Sequence, residues 1–183
     1  MNPSPNLFLI GPMGAGKSSI GRRLAEHFGM PCIDLDAAVE ARTGASVATI
    51  FGIEGEAGFR SRESDMLAEL AQREGIVLAT GGGAVLAPKN RTLLRDRGFV
   101  LWLETGIEQQ LLRLARDRKR PLLEAPDRRA RLEELARERD PIYRALADLT
   151  VSSVGESCLH AAARIAALLE RHWQRTPATK ATA

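Results

Sequence analysis

Short apolar runs alternate along the chain with longer segments in which apolar residues recur every three or four positions. The runs have the length of strands and lie at residues 7–10, 32–33, 76–79, 99–103 and, more weakly, 149–151. The segments between them have the period of amphipathic helices. Their apolar positions are Ile20, Leu24 and Phe28; Met66, Leu67 and Leu70; Ile107, Leu111 and Leu114; Leu132, Leu135 and Ala136; and Ile165, Leu169 and Trp173. This alternation predicts an α/β fold in which helices cover both faces of a parallel sheet.

The length of the chain predicts one domain. Its 183 residues, 44% of them apolar, suffice for one well-buried core and are too few for two full domains. We expect the domain to span residues 1–174. The remaining stretch, RTPATKATA at residues 175–183, lacks large apolar side chains, so we expect a disordered tail there.

Composition and charge favour a small-molecule partner in the cytoplasm. The formal net charge is only +3 and aromatic residues make up 4% of the chain, with no stretch that interleaves them with arginine, so we expect no nucleic-acid partner. No segment approaches 18 apolar residues and the N-terminus lacks a basic leader, so we expect no membrane partner. Cys32 and Cys158 lie far apart, which favours two reduced thiols over a disulfide or a zinc site. We expect a cytoplasmic monomer.

The first glycine-rich segment is a phosphate-binding loop. GPMGAGKS at residues 11–18 matches G-x4-G-K-[ST], after a predicted strand and at the start of a predicted helix. Its backbone N–H groups and the helix N-terminus suit phosphate oxygens, Lys17 suits the β- and γ-phosphates, and the Ser18 hydroxyl suits Mg²⁺. The motif therefore predicts binding of a nucleoside triphosphate with magnesium.

Two classes of protein use such a loop: those that hydrolyse the nucleotide to switch or move, and kinases that hand the γ-phosphoryl group to an acceptor. The chain has no N-K-x-D motif for reading guanine and is short for a motor, which favours a small-molecule kinase.

Asp34 and Asp36 follow the second strand, where one can support the metal and the other can bind an acceptor hydroxyl. An N-cap at Asp36 for a following helix is the structural alternative.

Three arginines are candidates for binding anionic groups. Arg60 precedes Glu63 by one helical turn, a spacing that fits an ion pair holding the guanidinium and equally fits a solvated helix face. Arg120 stands beside a proline in a segment with few apolar anchors, which suits a lid over phosphates. Arg139 falls on the apolar stripe of its helix, so it needs an anionic partner, and a ligand carboxylate would satisfy it.

A second glycine cluster, Gly81, Gly82 and Gly83, follows the third predicted strand in the stretch LATGGGAVLAP. No Lys-Ser pair follows it, so a second phosphate loop is disfavoured. A tight turn, which glycine makes easily, is the structural alternative to a place in the binding site.

Taken together, the segments GPMGAGKSSIGRRLA, DLD, IFGIEGEAGFRSRE, LATGGGAV, RPLL and RDPIYR resemble the shikimate kinase family in order and spacing, from about residue 8 to about residue 168. The resemblance implies a three-layer α/β/α P-loop fold with a five-stranded parallel sheet in the order 2-3-1-4-5. It also implies a substrate-binding helical segment at about residues 34–62 and a lid at about residues 114–126. The implied activity is transfer of the ATP γ-phosphoryl group to the 3-hydroxyl of shikimate, a step towards chorismate and the aromatic amino acids.

The resemblance also implies roles for individual residues. The expected ATP-binding residues are Gly14, Ala15, Gly16, Lys17, Ser18, Ser19, Arg113 at the adenine and Arg120 in the lid. The expected metal-binding residues are Ser18 and, through water, Asp34. The expected acceptor-binding residues are Asp36, Arg60, Gly81, Gly82, Gly83 and Arg139, with Gly82 the foremost of the glycines and the two arginines on the shikimate carboxylate. Lys17, Asp36 and Arg120 are the expected catalytic residues, and no base-contacting residue is assigned in the adenine-side loop at residues 152–157.

Two alternatives stay open. The first is a related P-loop kinase for another small acceptor, such as gluconate or a nucleoside monophosphate. The second is an ATP-binding regulatory module without turnover.

Overall fold

A computed structural model describes residues 3–115, 127–152 and 155–177. The strands within these ranges are β1 (Leu7–Ile10), β2 (Cys32–Asp34), β3 (Val77–Ala79), β4 (Phe99–Glu104) and β5 (Leu149–Ser152). The α-helices are α1 (Lys17–Phe28), α2 (Leu35–Thr43), α3 (Val47–Leu70), α4 (Pro88–Arg97), α5 (Ile107–Leu114), α6 (Arg128–Leu146) and α7 (Cys158–His172). A short 3₁₀ turn at Ala84–Leu86 separates β3 from α4.

The five strands form one parallel sheet in the order β2-β3-β1-β4-β5, which confirms the predicted topology. All five predicted strands are present, including the weakly predicted β5. Because the strands are parallel, the chain leaves each of them at the same edge of the sheet. The order places β2, β3 and β1 side by side, so the segments that follow these three strands meet there.

The sheet is covered on both faces, as the alternation of elements predicts. In β1, Leu7 and Leu9 pack into a core with side chains of α1 and α7, whereas Phe8 and Ile10 pack into a second core with side chains of α2, α3, α4 and α6. Successive residues of a strand point to opposite faces, so one apolar strand contributes to both cores. The result is the three-layer α/β/α arrangement.

Helices α2 and α4 are absent from the elements predicted from periodicity. Helix α2 begins after Asp34, whose carboxylate accepts a hydrogen bond from the Ala37 N–H at 3.2 Å. The alternative that made Asp36 the N-cap is therefore wrong: Asp34 is the cap, and Asp36 lies in the first helical turn. Helix α4 has Pro88 in its first position and Gly98 directly after its last residue. Proline commonly marks the start of a helix and glycine its end.

Two further features concern α3 and the C-terminus. Helix α3 is broken by a kink at Gly55, where φ is 70° and ψ is −177°. Arg175 and Thr176, the first residues of the predicted tail, lie beside Ser4, which Arg175 faces in an isolated parallel bridge. Among the described residues, no helix is both long and apolar enough to cross a membrane.

Candidate active site

A cavity of about 510 Å³ opens where the chain leaves β1, β2 and β3. It is lined by Gly14, Gly16, Lys17, Ser18, Ser19, Asp34, Asp36, Ala37, Glu40, Thr80, Gly81, Gly82, Arg113 and Leu114. Ten of the residues predicted for the site are in this set, drawn from segments that are distant in the sequence. The strand order β2-β3-β1 is what brings the two aspartates, the three-glycine segment and the phosphate loop to one place.

The phosphate loop between β1 and α1 has the backbone that its glycines permit. Gly14 and Gly16 have φ values of 75° and 90°, a left-handed conformation that residues with a Cβ rarely adopt. Lys17 is 9% exposed, and its Nζ donates hydrogen bonds to the carbonyl oxygens of Gly11 and Pro12 at 2.7 and 2.8 Å. The loop carbonyls thus hold the Lys17 ammonium group at the wall of the cavity, where it can contact phosphate oxygens.

The predicted metal ligands lie next to each other. The Ser18 hydroxyl donates to Asp34 Oδ2 at 2.5 Å, while Oδ1 of the same carboxylate caps α2. A hydroxyl and a carboxylate oxygen beside a phosphate-binding loop are the donors that Mg²⁺ uses when phosphates complete its shell. Their chemistry fits this ion.

The remaining predicted nucleotide-binding residues surround the loop. Arg113, near the end of α5, donates from Nη1 to the Gly14 carbonyl oxygen at 2.9 Å, so its guanidinium lies over the loop. Ser19 lines the cavity, whereas the Ala15 side chain is fully buried in the core. Any contact that Ala15 makes with a ligand therefore comes from its backbone.

Arg60, on α3, is held by two carboxylates. Its Nη1 donates to Glu63 at 2.7 Å, and its Nη2 and Nε donate to Glu56 at 3.0 and 3.2 Å. The side chain of Arg60 is 20% exposed and that of Glu63 is fully buried. The structure therefore decides against the solvated helix face and confirms the ion pair with Glu63.

Glu63 is a site residue that the sequence analysis used only as a partner of Arg60. Burial raises the pKa of its carboxyl group, with Arg60 opposing this effect and Asp36 adding to it. Its second oxygen, Oε1, is buried and accepts no hydrogen bond from the described residues. The signal in the sequence was the three-residue spacing from Arg60, but spacing does not show which side of a helix is buried.

Arg139 is buried, as its place on the apolar stripe of α6 predicts. It is 5% exposed, its Nε lies 3.5 Å from a Glu138 carboxylate oxygen, and that nitrogen makes no hydrogen bond within the described residues. A buried guanidinium needs an anionic partner, and the nearby Glu138 carboxylate is half-exposed and accepts no hydrogen bond from this nitrogen. The structure thus leaves a binding function for Arg139 open at the position where the sequence predicts one.

Tyr143, one turn after Arg139, is the second residue that the sequence analysis did not single out. It is 1% exposed, and its hydroxyl donates a hydrogen bond to the Gly82 carbonyl oxygen. Burial raises the pKa of this hydroxyl, and nearby Arg139 opposes the rise. Tyr143 therefore connects α6 to the three-glycine segment.

The three glycines after β3 differ in their surroundings. None has a φ in the left-handed region, so the turn alternative does not explain why glycine is needed. A Cβ on Gly81 would overlap the Glu63 carboxylate and approach Asp36, and one on Gly83 would overlap the Arg60 guanidinium. A Cβ on Gly82 would meet no atom closer than 3.4 Å.

Some predicted features fall outside the described residues. They are Arg120, residues 116–126 of the lid predicted at about residues 114–126, residues 153–154 of the adenine-side loop, and residues 178–183 of the predicted tail. The predictions for them stand as stated.

Comparison with known proteins identifies the family. A family model described as shikimate kinase matches residues 13–170. The chain is 51% identical over 179 residues to the shikimate kinase of Stenotrophomonas maltophilia strain K279a, covering 98% of this chain and 99% of that one. The chain belongs to the shikimate kinase family. The shikimate kinase of Thioalkalivibrio sulfidiphilus is 58% identical over 157 residues, or 86% of this chain and 83% of that protein.

Solved structures agree with the family assignment. The structure of the Acinetobacter baumannii shikimate kinase in complex with shikimate superposes with a TM-score of 0.89 at 44% identity, covering 93% of this chain and 95% of that chain. A gluconokinase from Sinorhizobium meliloti superposes with a TM-score of 0.52 at 19% identity, which shows a shared fold alone. The resemblance stated from the sequence motifs is confirmed.

Proposed function

We propose that this kinase transfers the γ-phosphoryl group of ATP to the 3-hydroxyl of shikimate, giving shikimate 3-phosphate and ADP. One observation carries the proposal: a single cavity contains both the phosphate-binding loop, with Lys17 and Ser18, and the acceptor-side carboxylate of Asp36. A nucleotide bound to the loop would direct its terminal phosphate into the space that Asp36 faces. Membership of the shikimate kinase family supplies the identity of the acceptor.

The acceptor carboxylate is proposed to bind to Arg60 and Arg139. Both guanidinium groups act on the same buried neighbours, because each influences the pKa of Glu63 and of Tyr143. The Nε of Arg139 makes no hydrogen bond within the described residues, and a ligand carboxylate is the kind of partner that a guanidinium binds with two hydrogen bonds. Fixing the carboxylate at one end of the ring would fix the hydroxyl at the other.

Positioning and charge neutralisation are the main contributions that phosphoryl transfer needs from a protein. Lys17 is proposed to neutralise charge on the transferring group. Asp36 is proposed to orient the acceptor hydroxyl and to accept its proton. Lys17 and Asp36 lie in the first turns of α1 and α2, and side chains on helices are held more precisely than side chains on loops.

Ser18 and Asp34 are proposed to hold Mg²⁺, Ser18 directly and Asp34 through water. When bound, the ion would neutralise part of the charge on the phosphates. The hydrogen bond between the two side chains already places their oxygens together.

The chain is further proposed to act as a cytoplasmic monomer. Sedimentation of the purified protein would test the oligomeric state.

An assay of ADP release with different acceptors tests the proposed function. We expect release with shikimate, and only background release with gluconate or AMP at the same concentration. Release with gluconate or AMP instead would favour a kinase for that acceptor. ATP binding without release for any of the three would favour a regulatory module.

Asp34→Asn tests the metal site. Asparagine caps a helix about as well as aspartate, so α2 should keep its N-terminus while the site loses a negative charge. We expect the Mg²⁺ concentration for half-maximal activity to rise about 10- to 100-fold, the usual cost of losing an outer-shell metal partner. At saturating Mg²⁺ the KM for shikimate should change little.

A readout without turnover accompanies this test. Mg²⁺ should raise the thermal unfolding midpoint of the ADP-bound wild type more than that of ADP-bound Asp34→Asn. An unchanged Mg²⁺ requirement together with an equal midpoint shift would remove Asp34 from the metal site.

A further inference from the structure

The space beside Gly83 is occupied by the guanidinium of Arg60. A Cβ at this position would lie 2.7 Å from Nη1 and closer still to Cζ and Nη2, whereas real Cβ atoms essentially never approach within 3.0 Å. The backbone of Gly83 has φ −97° and ψ −1°, which any residue can adopt. Any advantage of glycine here therefore comes from the room it leaves for the guanidinium and not from its backbone conformation.

The space beside Gly81 is occupied by carboxylates. A Cβ there would overlap Oε1 of Glu63 and lie 2.8 Å from Oδ1 of Asp36. Gly81 also has a φ outside the left-handed region. Two of the three glycines thus border charged side chains of the acceptor site, one against its cation and one against its anions.

Gly82 differs from both neighbours. The nearest atoms to a Cβ would be the Gly11 carbonyl oxygen at 3.4 Å, the Met13 nitrogen at 3.5 Å and the Tyr143 hydroxyl at 3.6 Å. A methyl group would fit there with little displacement. The hydrogen bond from Tyr143 to the Gly82 carbonyl oxygen fixes the middle of the segment and so keeps both flanking glycines in place.

We propose that Gly81 and Gly83 are positioning residues for the transfer reaction, because the room they leave sets where the Glu63 carboxylate and the Arg60 guanidinium lie. The expected effect on the reaction rests on the proposed function, which assigns Arg60 to the shikimate carboxylate. The inference gives the glycine segment a different role from the one first predicted. The segment sets the positions of the charged groups that hold the acceptor, in addition to any contact its backbone makes with the acceptor.

The effect of adding a methyl group at Gly83 depends on the hydrogen bonds that Arg60 makes with Glu63 and Glu56. The end of an arginine side chain is flexible, so the guanidinium can move about 1 Å to reach an ordinary contact distance and the fold is preserved. Movement on this scale stretches its hydrogen bonds to Glu63 and Glu56 and shifts the group that meets the substrate. Misplacement of a binding group by about 1 Å can cost on the order of 10²-fold in rate.

A double-mutant cycle between Gly83→Ala and Arg60→Ala tests the proposal. In the wild-type background we expect Gly83→Ala to lower kcat/KM for shikimate on the order of 10²-fold, with the KM for ATP little changed. In the Arg60→Ala background the same substitution should lower kcat/KM by less than about 2-fold, because the group it displaces is gone. Gly81→Ala and Gly82→Ala complete the series, and the loss for Gly82→Ala should be the smallest of the three.

Gly106→Ala is the matched control for the addition of a methyl group. Gly106 precedes α5 with φ −69°, and a Cβ there would meet nothing within 4 Å. It should keep wild-type kcat/KM. Thermal unfolding midpoints of all variants show whether each one is folded.

The outcomes separate the inference from the proposed function. Equal losses from Gly83→Ala in both backgrounds, or a larger loss for Gly82→Ala than for Gly83→Ala, would overturn the inference while leaving the activity intact. A wild-type protein without shikimate-dependent ADP release would instead overturn the proposed function. If Gly83→Ala fails to fold, folding of the double variant would still support the clash with Arg60, whereas failure of the double variant while Arg60→Ala alone folds would contradict it.

Discussion

Asp36→Asn is expected to lower kcat by a factor of about 10² to 10⁴, the range over which a positioned acid or base accelerates proton transfer. The side chain lies in the first turn of α2 and lines the same cavity as the phosphate loop. Asparagine has the same shape and can still accept a hydrogen bond, but it cannot take up the proton that the acceptor hydroxyl loses. Binding of ATP should be almost unchanged, because the nucleotide is proposed to bind at the phosphate loop and not at Asp36.

Steady-state kinetics with shikimate and ATP varied in turn would measure this effect. Asp65→Asn is a suitable control, since Asp65 is also on a helix but its side chain is 71% exposed and its ion pair with Lys89 is long, at 3.9 Å. It should keep wild-type kinetics. A kcat for Asp36→Asn equal to that of the wild type would end its assignment as the acceptor-side carboxylate.

The size of the loss also distinguishes two roles of Asp36. If the carboxylate acts as a base, kcat should fall within the stated range, since proton acceptance is lost. If it only orients the hydroxyl, the asparagine amide oxygen keeps part of that function and kcat should fall by less than about 10²-fold.

The fold was predictable because its strands are short, apolar and separated by segments with a helical period. A strand such as β1 contributes to both cores, so nearly all of its residues are apolar and it is easily recognised. Periodicity alone did not reveal α2 and α4, for the opposite reason, although the helical segment implied at about residues 34–62 contains α2. Helix α4 buries only Asn90 and Leu94, which is too few positions for a periodic pattern, and its boundaries are marked by Pro88 and Gly98 alone.

The parts of the candidate site that could be predicted are those marked by a short stretch of sequence. The phosphate loop is a contiguous motif, and Asp34 and Asp36 follow a strand end, so position in the fold could be inferred from position in the sequence. Glu63 and Tyr143 could not be found this way. Their importance depends on burial and on contacts with residues 3 to 61 positions away, such as Gly82 for Tyr143.

The glycine segment shows a further limit of sequence reasoning. A run of three glycines predicts either unusual backbone conformations or close approach of another group, and the sequence does not distinguish these. The structure does, because none of the three has a left-handed φ while Gly81 and Gly83 are crowded by charged side chains. The prediction that made Gly82 the foremost of the three stays untested, and its surroundings predict the mildest response to an added methyl group.

Arg139→Ala is expected to raise the KM for shikimate far more than the KM for ATP. Removing one partner of a buried, hydrogen-bonded charge pair costs about 2 to 5 kcal/mol, which corresponds to roughly 30-fold or more in binding. Arg60→Ala should act in the same direction, but it also leaves the buried Glu63 carboxylate without its ion-pair partner and so lowers stability as well. Arg139 is therefore the cleaner of the two tests.

Arg137→Ala is the matched control, because Arg137 lies two residues earlier on α6 and is exposed. It should leave both KM values unchanged, and thermal unfolding would confirm that Arg139→Ala is folded. Equal weakening of shikimate and ATP by Arg139→Ala would reject the carboxylate-binding assignment. A selective increase in the shikimate KM would instead account for a feature that the protein alone leaves unexplained, namely a buried guanidinium whose Nε makes no hydrogen bond within the described residues.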